Sequence, residues 1–305
     1  MKISMDDPNK KNISNKFLRR VKRYFSHKKT SLLKKLFSYK AKQGKPIRYK
    51  LAGQNIIYLY PEGQIAELLY TCTFEQTEIQ LVSAYLKAGM KVVDVGANIG
   101  LYSILASKII GENGKIWAFE PSSETHKRLI ANLSLNQVSG VEVIKMGLAD
   151  VEDVLTLMRP SGYRDGDRYL VPKIYDTTHF QQDSGDTESV PVITLDNYMI
   201  QNNTELPKVD LMKIDIEGGE YAVFKGAQKV LTANPNILVM FECTPEGCQR
   251  AGHTQENVFQ FLRQLGFEVY SWNRTEGKWD TSEGLLRSSG NVWACRNKAI
   301  LPQPR

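Results

Sequence analysis

Two short runs in this 305-residue sequence carry side chains whose types and spacing could do chemistry. The first is Asp94-Val95-Gly96-Ala97-Asn98-Ile99-Gly100, with Glu120 beyond it. The second is Lys213-Ile214-Asp215-Ile216-Glu217-Gly218-Gly219-Glu220. In the first, the glycines let the backbone turn tightly and approach a ligand closely. Glu120 ends an apolar stretch 20 residues after Gly100. A carboxylate there can accept hydrogen bonds from both hydroxyls of a ribose. The loop is not the Gly-x-Gly-x-x-Gly of dinucleotide sites, whose bare helix N-terminus meets a pyrophosphate. Its spacing is Gly-x-Asn-x-Gly, and Asp94 stands just before it. A negative charge there opposes a pyrophosphate. It suits a nucleoside whose amine and sulfonium are both cationic, as in S-adenosylmethionine.

In the second run, Asp215 ends a strand candidate and Lys213, two residues earlier, faces the same side. A carboxylate at such a strand end could orient or deprotonate a hydroxyl, which makes Asp215 and Glu217 the candidate catalytic residues. Glu220 reads as a charge at a helix N-terminus. Glu242 ends a later strand and is a candidate for lining an acceptor pocket. Asp215, Glu217 and Glu242 would be the ligands of a divalent cation, but no His joins them at ligand spacing, and no metal is assigned. His253 reads as a solvated loop residue and only a weak alternative base. His179 falls in a variable loop.

Positioning these residues takes strands that end at them. Lys91–Val95, Lys115–Phe119, Val141–Lys145, Val209–Ile214 and Ile237–Phe241 are short, apolar and rich in β-branched residues, as buried parallel strands are. Helical stretches alternate with them at Leu101–Ile110, Ser122–Asn136, Glu220–Leu231 and Thr254–Leu265, after an earlier helix at Glu75–Leu86. Ser122 or Ser123 is available to cap the second of these. Phe267–Trp272 and Asn291–Cys295 follow one another without a helix, so one of them should run antiparallel. The alternation predicts an α/β fold of about seven strands with a Rossmann-like arrangement. Residues 47–60 read as a strand or hairpin. Residues 151–190 break the pattern and suggest a hairpin with a mobile loop.

Charge is unevenly spread. Residues 1–50 hold 17 of the 40 Lys and Arg but two of the 33 acids, so the remainder of the chain is mildly acidic. An argument for an anionic partner therefore concerns this N-terminal extension alone. Residues 16–39 carry two apolar groups at helical spacing, Phe17 to Phe25 and Leu32 to Phe37, with basic outer faces. They suggest a helical arm that packs on its own domain or on a partner subunit, or one that lies on an anionic membrane surface. No nucleic-acid-reading motif accompanies the charge. The chain is thus divided into a basic extension, 1–50, and a domain over 51–305 with a strand and helix preamble at 51–90. The four cysteines form no zinc pattern and no disulfide framework. With no apolar run long enough to cross a bilayer and no signal-peptide core, a cytoplasmic protein is expected, peripheral to a membrane if the arm binds one. A nucleotide-binding oxidoreductase and a non-enzymatic membrane-associated binding protein are the competing classes.

Taken together, Val92-Val93-Asp94-Val95-Gly96-Ala97-Asn98-Ile99-Gly100, Phe119-Glu120-Pro121, Thr194-Leu195-Asp196 and the Lys213–Glu220 run resemble the FkbM-type methyltransferases over roughly residues 70–272. The glycine loop is shared by many methyltransferases; its combination with Asp-x-Glu-Gly-x-Glu is far more specific. The resemblance implies S-adenosylmethionine as donor and a hydroxyl acceptor on a sugar, glycan or small natural product. It implies that Asp94, Gly96, Asn98 and Gly100 line the methionine end, with Tyr102 closing over it. Glu75 is implied near the amino-acid end, and Glu120 at the ribose. Gly147 and Leu148 stand where methyltransferases often place an Asp near adenine, so backbone contacts or Asp150 would serve there instead.

Overall fold

The computed structural model describes residues 28–51, 55–62, 64–159, 168–171, 185–281 and 290–304. The first expected helix of the arm, Phe17 to Phe25, lies outside the described residues, as does His179. The chain divides into two compact units, Met1–Tyr49 with Leu59–Phe74, and Lys50–Tyr58 with Glu75–Arg305.

The first unit contains α1 (residues 28–41), most of β1 (Ile47–Lys50) and, after β2 (Ile56–Leu59), the helix α2 (Gln64–Tyr70). α1 carries the second apolar group of the arm. Phe37 is buried, and its ring lies 5.6 Å from that of Tyr70. Lys34 pairs with Glu67 at 3.6 Å. Leu32, Leu36 and Tyr39, on another side of α1, are 59%, 43% and 69% exposed. α2 has no counterpart in the sequence reading; its seven residues are too short to show a helical period.

The second unit is a doubly wound α/β fold. Its helices and strands are α3 (Gln76–Tyr85), β3 (Lys91–Val95), α4 (Leu101–Ile110), β4 (Lys115–Phe119), α5 (Ser123–Leu135) and β5 (Val141–Ile144). A second, smaller sheet follows: β6 (Gly147–Leu148), β7 (Asp153–Arg159), β8 (Tyr169–Val171) and β9 (Asp186–Ile193), in the order β6-β9-β7-β8. Then come α6 (Leu195–Asn202), β10 (Leu211–Ile214), α7 (Glu220–Lys225), α8 (Gln228–Ala233), β11 (Leu238–Glu242), α9 (Pro245–Arg250) and α10 (Gln255–Gln264). The chain closes with β12 (Glu268–Asn273), β13 (Lys278–Thr281) and β14 (Asn291–Cys295).

Among the described residues the large sheet has eight strands, ordered β13-β12-β14-β11-β10-β3-β4-β5. β5, β4, β3, β10 and β11 are mutually parallel. β14 inserts antiparallel between β11 and β12, so of the late pair it is the one reversed, as the missing helix required. The strand beyond the expected seven is β13, which pairs with β12 across the short turn after Asn273. Adjacent sheet strands reverse direction in the chain order between β3 and β10. The carboxyl ends of these two strands, where a doubly wound sheet binds its ligand, are therefore next to each other. One core cluster contains Phe119, Phe241 and Phe259, all at most 1% exposed.

The expected helix Glu220–Leu231 is broken into α7 and α8. Gly226 sits at the break because a Cβ there would meet the Ala149 carbonyl oxygen at 2.1 Å. The backbone is pinned by Asp196, whose two carboxylate oxygens accept hydrogen bonds from Lys229 N and Val230 N at 2.8 and 2.9 Å. Hydrophobic spacing carries no mark of such a cap supplied from 33 residues away. Ser122 is the N-cap residue of α5 but makes no side-chain cap; its amide donates to Glu120 instead. Asp196 is buried, so Asp196→Ala leaves two amides without partners. The expected cost is about 3 kcal/mol, read as a lower urea midpoint at unchanged slope.

Candidate active site

The site begins with strand register. Parallel pairing of β3 and β10 sets Lys213 directly beside Asp94. Both are buried, Asp94 at 1% exposure and Lys213 at 4%. The Lys213 ammonium lies 3.3 Å from Asp215 Oδ2 and 3.7 Å from Asp94 Oδ1, and it donates to the Gly96 carbonyl at 3.1 Å. Burial alone would lower its pKa, but Asp215, Asp94 and Glu75 outweigh that and hold it well above the usual lysine value. Asp94 Oδ2 accepts from Ser103 Oγ at 2.6 Å, while Oδ1 is buried without a hydrogen-bond donor among the described residues.

The glycine loop crosses closely over the end of β10. At Gly96 (φ +72°) a Cβ would stand 2.1 Å from the Asp215 carbonyl oxygen, so glycine is required on both conformational and steric grounds. Asn98 also has a left-handed backbone (φ +49°), supported by its own side chain accepting from Ile99 N at 2.8 Å. Its amide donates to Glu120 Oε2 at 3.0 Å, and Ser122 N donates to Glu120 Oε1 at 3.0 Å. Burial pushes Glu120 up to about 7, although these two amides favour its charged form. Gly100, at the start of α4, packs against Leu129.

Gly96, Asn98, Glu120, Leu148 and Asp215 line one cleft, together with Met146, Ile216 and Arg168. Asp94 and Gly100 are not part of that lining; they support the loop from beneath. Asp150 is also absent from it and pairs with Lys225. What the sequence expected near adenine is thus reduced to Gly147 and Leu148, and Asp150 is set aside because its charge is already matched. Tyr102 donates to Glu75 Oε2 at 2.6 Å, and its ring lies 5.3 Å from the Lys213 ammonium. Asn291 Nδ2 donates to Glu75 Oε1. Glu75 itself has a left-handed backbone (φ +35°) at the start of α3. Its pKa is raised, first by burial and then by Asp215.

Asp215, Glu217 and Glu242 converge, each offering an oxygen within 4.8 Å of the others. These are the residues that could hold a divalent cation. Glu217 is held by Arg250, whose guanidinium donates to the Glu217 carbonyl at 2.9 Å and lies 3.5 Å from its carboxylate. Glu220 is buried and anchors the loop as a helix-terminal charge, with Oε1 accepting from Ile216 N and Gly218 N at 3.1 and 3.3 Å. Sequence reasoning did not find Ser103, Met146, Arg168, Arg250 or Asn291. Only Ser103 carried a signal, being on the loop-facing start of a helix next to the glycine run.

S-adenosylmethionine fits this chemistry. A close-packed glycine turn, a buried carboxylate oxygen without a donor and an excess of carboxylates over cations suit a cationic nucleoside and oppose a pyrophosphate. Among known proteins, the family described as the methyltransferase FkbM domain matches residues 94–269. Methyltransferase sdnD of Sordaria araneosa is 30% identical over 216 residues, 64% of this chain and 79% of that protein. Hexuronic acid methyltransferase AglP of Haloferax volcanii is 26% identical over 204 residues, 66% of this chain and 74% of that protein. A solved SAM-dependent O-methyltransferase from Thermotoga maritima is 13% identical, with a TM-score of 0.40, covering 83% of this chain and 80% of that one.

Glu242 yields a pH prediction. Burial, then Asp215, Glu217, Glu220 and Glu75, raise it from 4.5 to about 9. A carboxyl whose folded pKa lies above its unfolded value favours the fold while protonated, so that contribution is lost as pH rises through this range. Glu242→Gln should therefore match the wild type near pH 4.5 and exceed it in thermal stability at pH 9, in the absence of ligand. Parallel melting curves across the range check this.

Proposed function

The chain belongs to the FkbM methyltransferase family, and we propose that within it this protein methylates a hydroxyl oxygen on a sugar, glycan or small natural product. The methyl group comes from S-adenosylmethionine, whose sulfonium supplies the reactivity at carbon. The observation that carries the oxygen assignment is Asp215, which directly follows β10, lines the donor cleft and offers a carboxylate oxygen beside Glu217 and Glu242. A hydroxyl donates a hydrogen bond to such a group and can pass its proton there as its oxygen becomes the nucleophile.

The residues of the chain divide that work. Glu120 is set to accept the ribose hydroxyls, because its two oxygens are already aimed by Asn98 N and Ser122 N. Gly96 and Asn98 present backbone to the methionine end, with Asp94 beneath them supplying negative potential. Glu75 and Tyr102, bonded to each other, close the amino-acid end. Gly147 and Leu148 offer backbone and apolar surface to the base. Asp215 orients the acceptor, Lys213 positions Asp215, and Glu217 is fixed beside it by Arg250. The relative that acts on a hexuronic acid supports a sugar acceptor.

A second reading concerns α1. Leu32, Leu36 and Tyr39 follow helical spacing and are exposed, and Lys28, Lys29, Lys34, Lys35 and Lys40 share the helix. Apolar residues flanked by lysines fit the boundary of an anionic bilayer. No helix among the described residues is long and apolar enough to cross a membrane.

Asp215→Asn should lower kcat by about 100-fold or more, with much less effect on the affinity for S-adenosylhomocysteine by calorimetry. The reverse pattern would move Asp215 to the cofactor. For α1, the full chain should sediment with phosphatidylserine vesicles and be released by salt, while the double variant Leu32→Glu, Leu36→Glu stays in solution. Equal pelleting of both removes the membrane reading.

A further inference from the structure

A second cavity of about 410 Å³ lies beside the donor cleft. Leu148, Leu155 and Leu170 of the smaller sheet form one wall, and Gly219, Tyr221 and Ala222 at the start of α7 form another. Leu148 and Leu170 line the donor cleft too, so the two spaces share a wall. The volume falls within the roughly 300–1,000 Å³ typical of small-molecule pockets. Gly218 and Gly219, which follow directly on the Asp215–Glu217 segment, bring the candidate catalytic loop to the edge of the same cavity.

The walls also state what kind of molecule fits. By area the lining is mostly apolar. Of its three charged side chains, Lys225 and Asp150 pair with each other, and Asp153 Oδ1 accepts from Val154 N at 2.7 Å. The Lys225 ammonium also lies 5.1 Å from the centre of the Tyr221 ring, and the His253 ring lies 5.1 Å from it on centroids. His253, whose Nε2 is buried and without a hydrogen-bond partner among the described residues, is the lining group set to bond a single hydroxyl. A bare hexose carries hydroxyls around its whole rim, and each one buried without a partner costs about 1–3 kcal/mol. A hexuronic acid would add a carboxylate facing a lysine already neutralised. An apolar ring system loses nothing here, and its burial against leucines is favourable.

We propose that this cavity holds the body of the methyl acceptor, whose reacting hydroxyl reaches past Gly218 to Asp215 in the adjoining cleft, and that it takes a largely apolar, fused-ring molecule rather than a bare sugar. The proposal rests on the methyltransferase reading of the adjoining cleft and narrows its acceptor.

The test uses 2-naphthol, a fluorescent apolar alcohol, titrated into the full chain with S-adenosylhomocysteine present. Methyl β-glucopyranoside and methyl β-glucuronide serve as competitors. Two variants alter the cavity without touching the cleft residues: Ala222→Trp fills it, and Leu155→Asp places a charge on its aliphatic wall. Saturable binding of 2-naphthol, unaffected by either sugar and weakened at least about tenfold (~1.4 kcal/mol) by both variants, is the expected result. Absence of 2-naphthol binding, displacement by either sugar, or wild-type affinity in both variants would overturn it. S-adenosylhomocysteine affinity, measured separately, certifies that each variant is folded. If one variant loses it, the other variant and the sugar competition decide. Failure of the wild type to bind S-adenosylhomocysteine would sink the methyltransferase reading itself, a result distinct from any outcome with 2-naphthol.

Discussion

The ammonium of Lys213 lies in the interior with Asp94 on one side and Asp215 on the other, and it also holds the carbonyl of Gly96. Neither sign of charge could be buried here alone. An isolated ion in a protein interior costs several kcal/mol, and breaking a buried pair by removing one partner leaves that cost uncompensated. The β3–β10 register brings the two charges together, so the sheet and the site are one construction. Because one cation faces Asp94, Asp215 and Glu75, the balance left over is negative. That surplus is what a ligand with a positive amine and a positive sulfonium can neutralise, and what a pyrophosphate cannot.

The second constraint is how closely backbone passes backbone. Gly96 under the Asp215 carbonyl, Gly218 against the Gly247 carbonyl and Gly226 against the Ala149 carbonyl mark three crossings at which a Cβ would stand 2.1–2.4 Å from an oxygen. The first two fix the cofactor loop and the acidic loop with respect to β10 and α9. The third breaks the helix after the acidic loop. Left-handed φ at Glu75, Asn98 and Glu217 places three non-glycine residues of the site in a strained backbone region, which is where functional sites store strain. Each is held by a named contact: Tyr102 and Asn291 at Glu75, Glu120 at Asn98, and Arg250 at Glu217.

The parallel strands and their helices were legible in the sequence because burial on both faces leaves continuous β-branched runs, and the glycine loop was legible because its φ values demand those residues. Lys213 beside Asp215 followed from strand alternation. Glu75, expected at the amino-acid end from resemblance alone, owes its place to Tyr102, 27 residues on, and to Asn291, 216 residues on. Neither separation leaves a local trace. Asp150 could not be judged from sequence, since its partner Lys225 lies on a helix 75 residues later. The smaller sheet was read only as a hairpin. Its β6 has two residues and β8 has three, too few for alternation to show.

The bond from Asn291 to Glu75 has a bearing on how the protein comes into being. β14, which carries Asn291, follows the other strands of the large sheet among the described residues and yet lies inside it, between β11 and β12. As the chain leaves the ribosome, the glycine loop and the acidic loop emerge long before the strand that braces Glu75 from behind. The contact at Glu75 is therefore made only after β14 has emerged, and until then β11 presents a bare hydrophobic edge that invites pairing with another chain. A nascent chain of this protein is the form with most to gain from a chaperone.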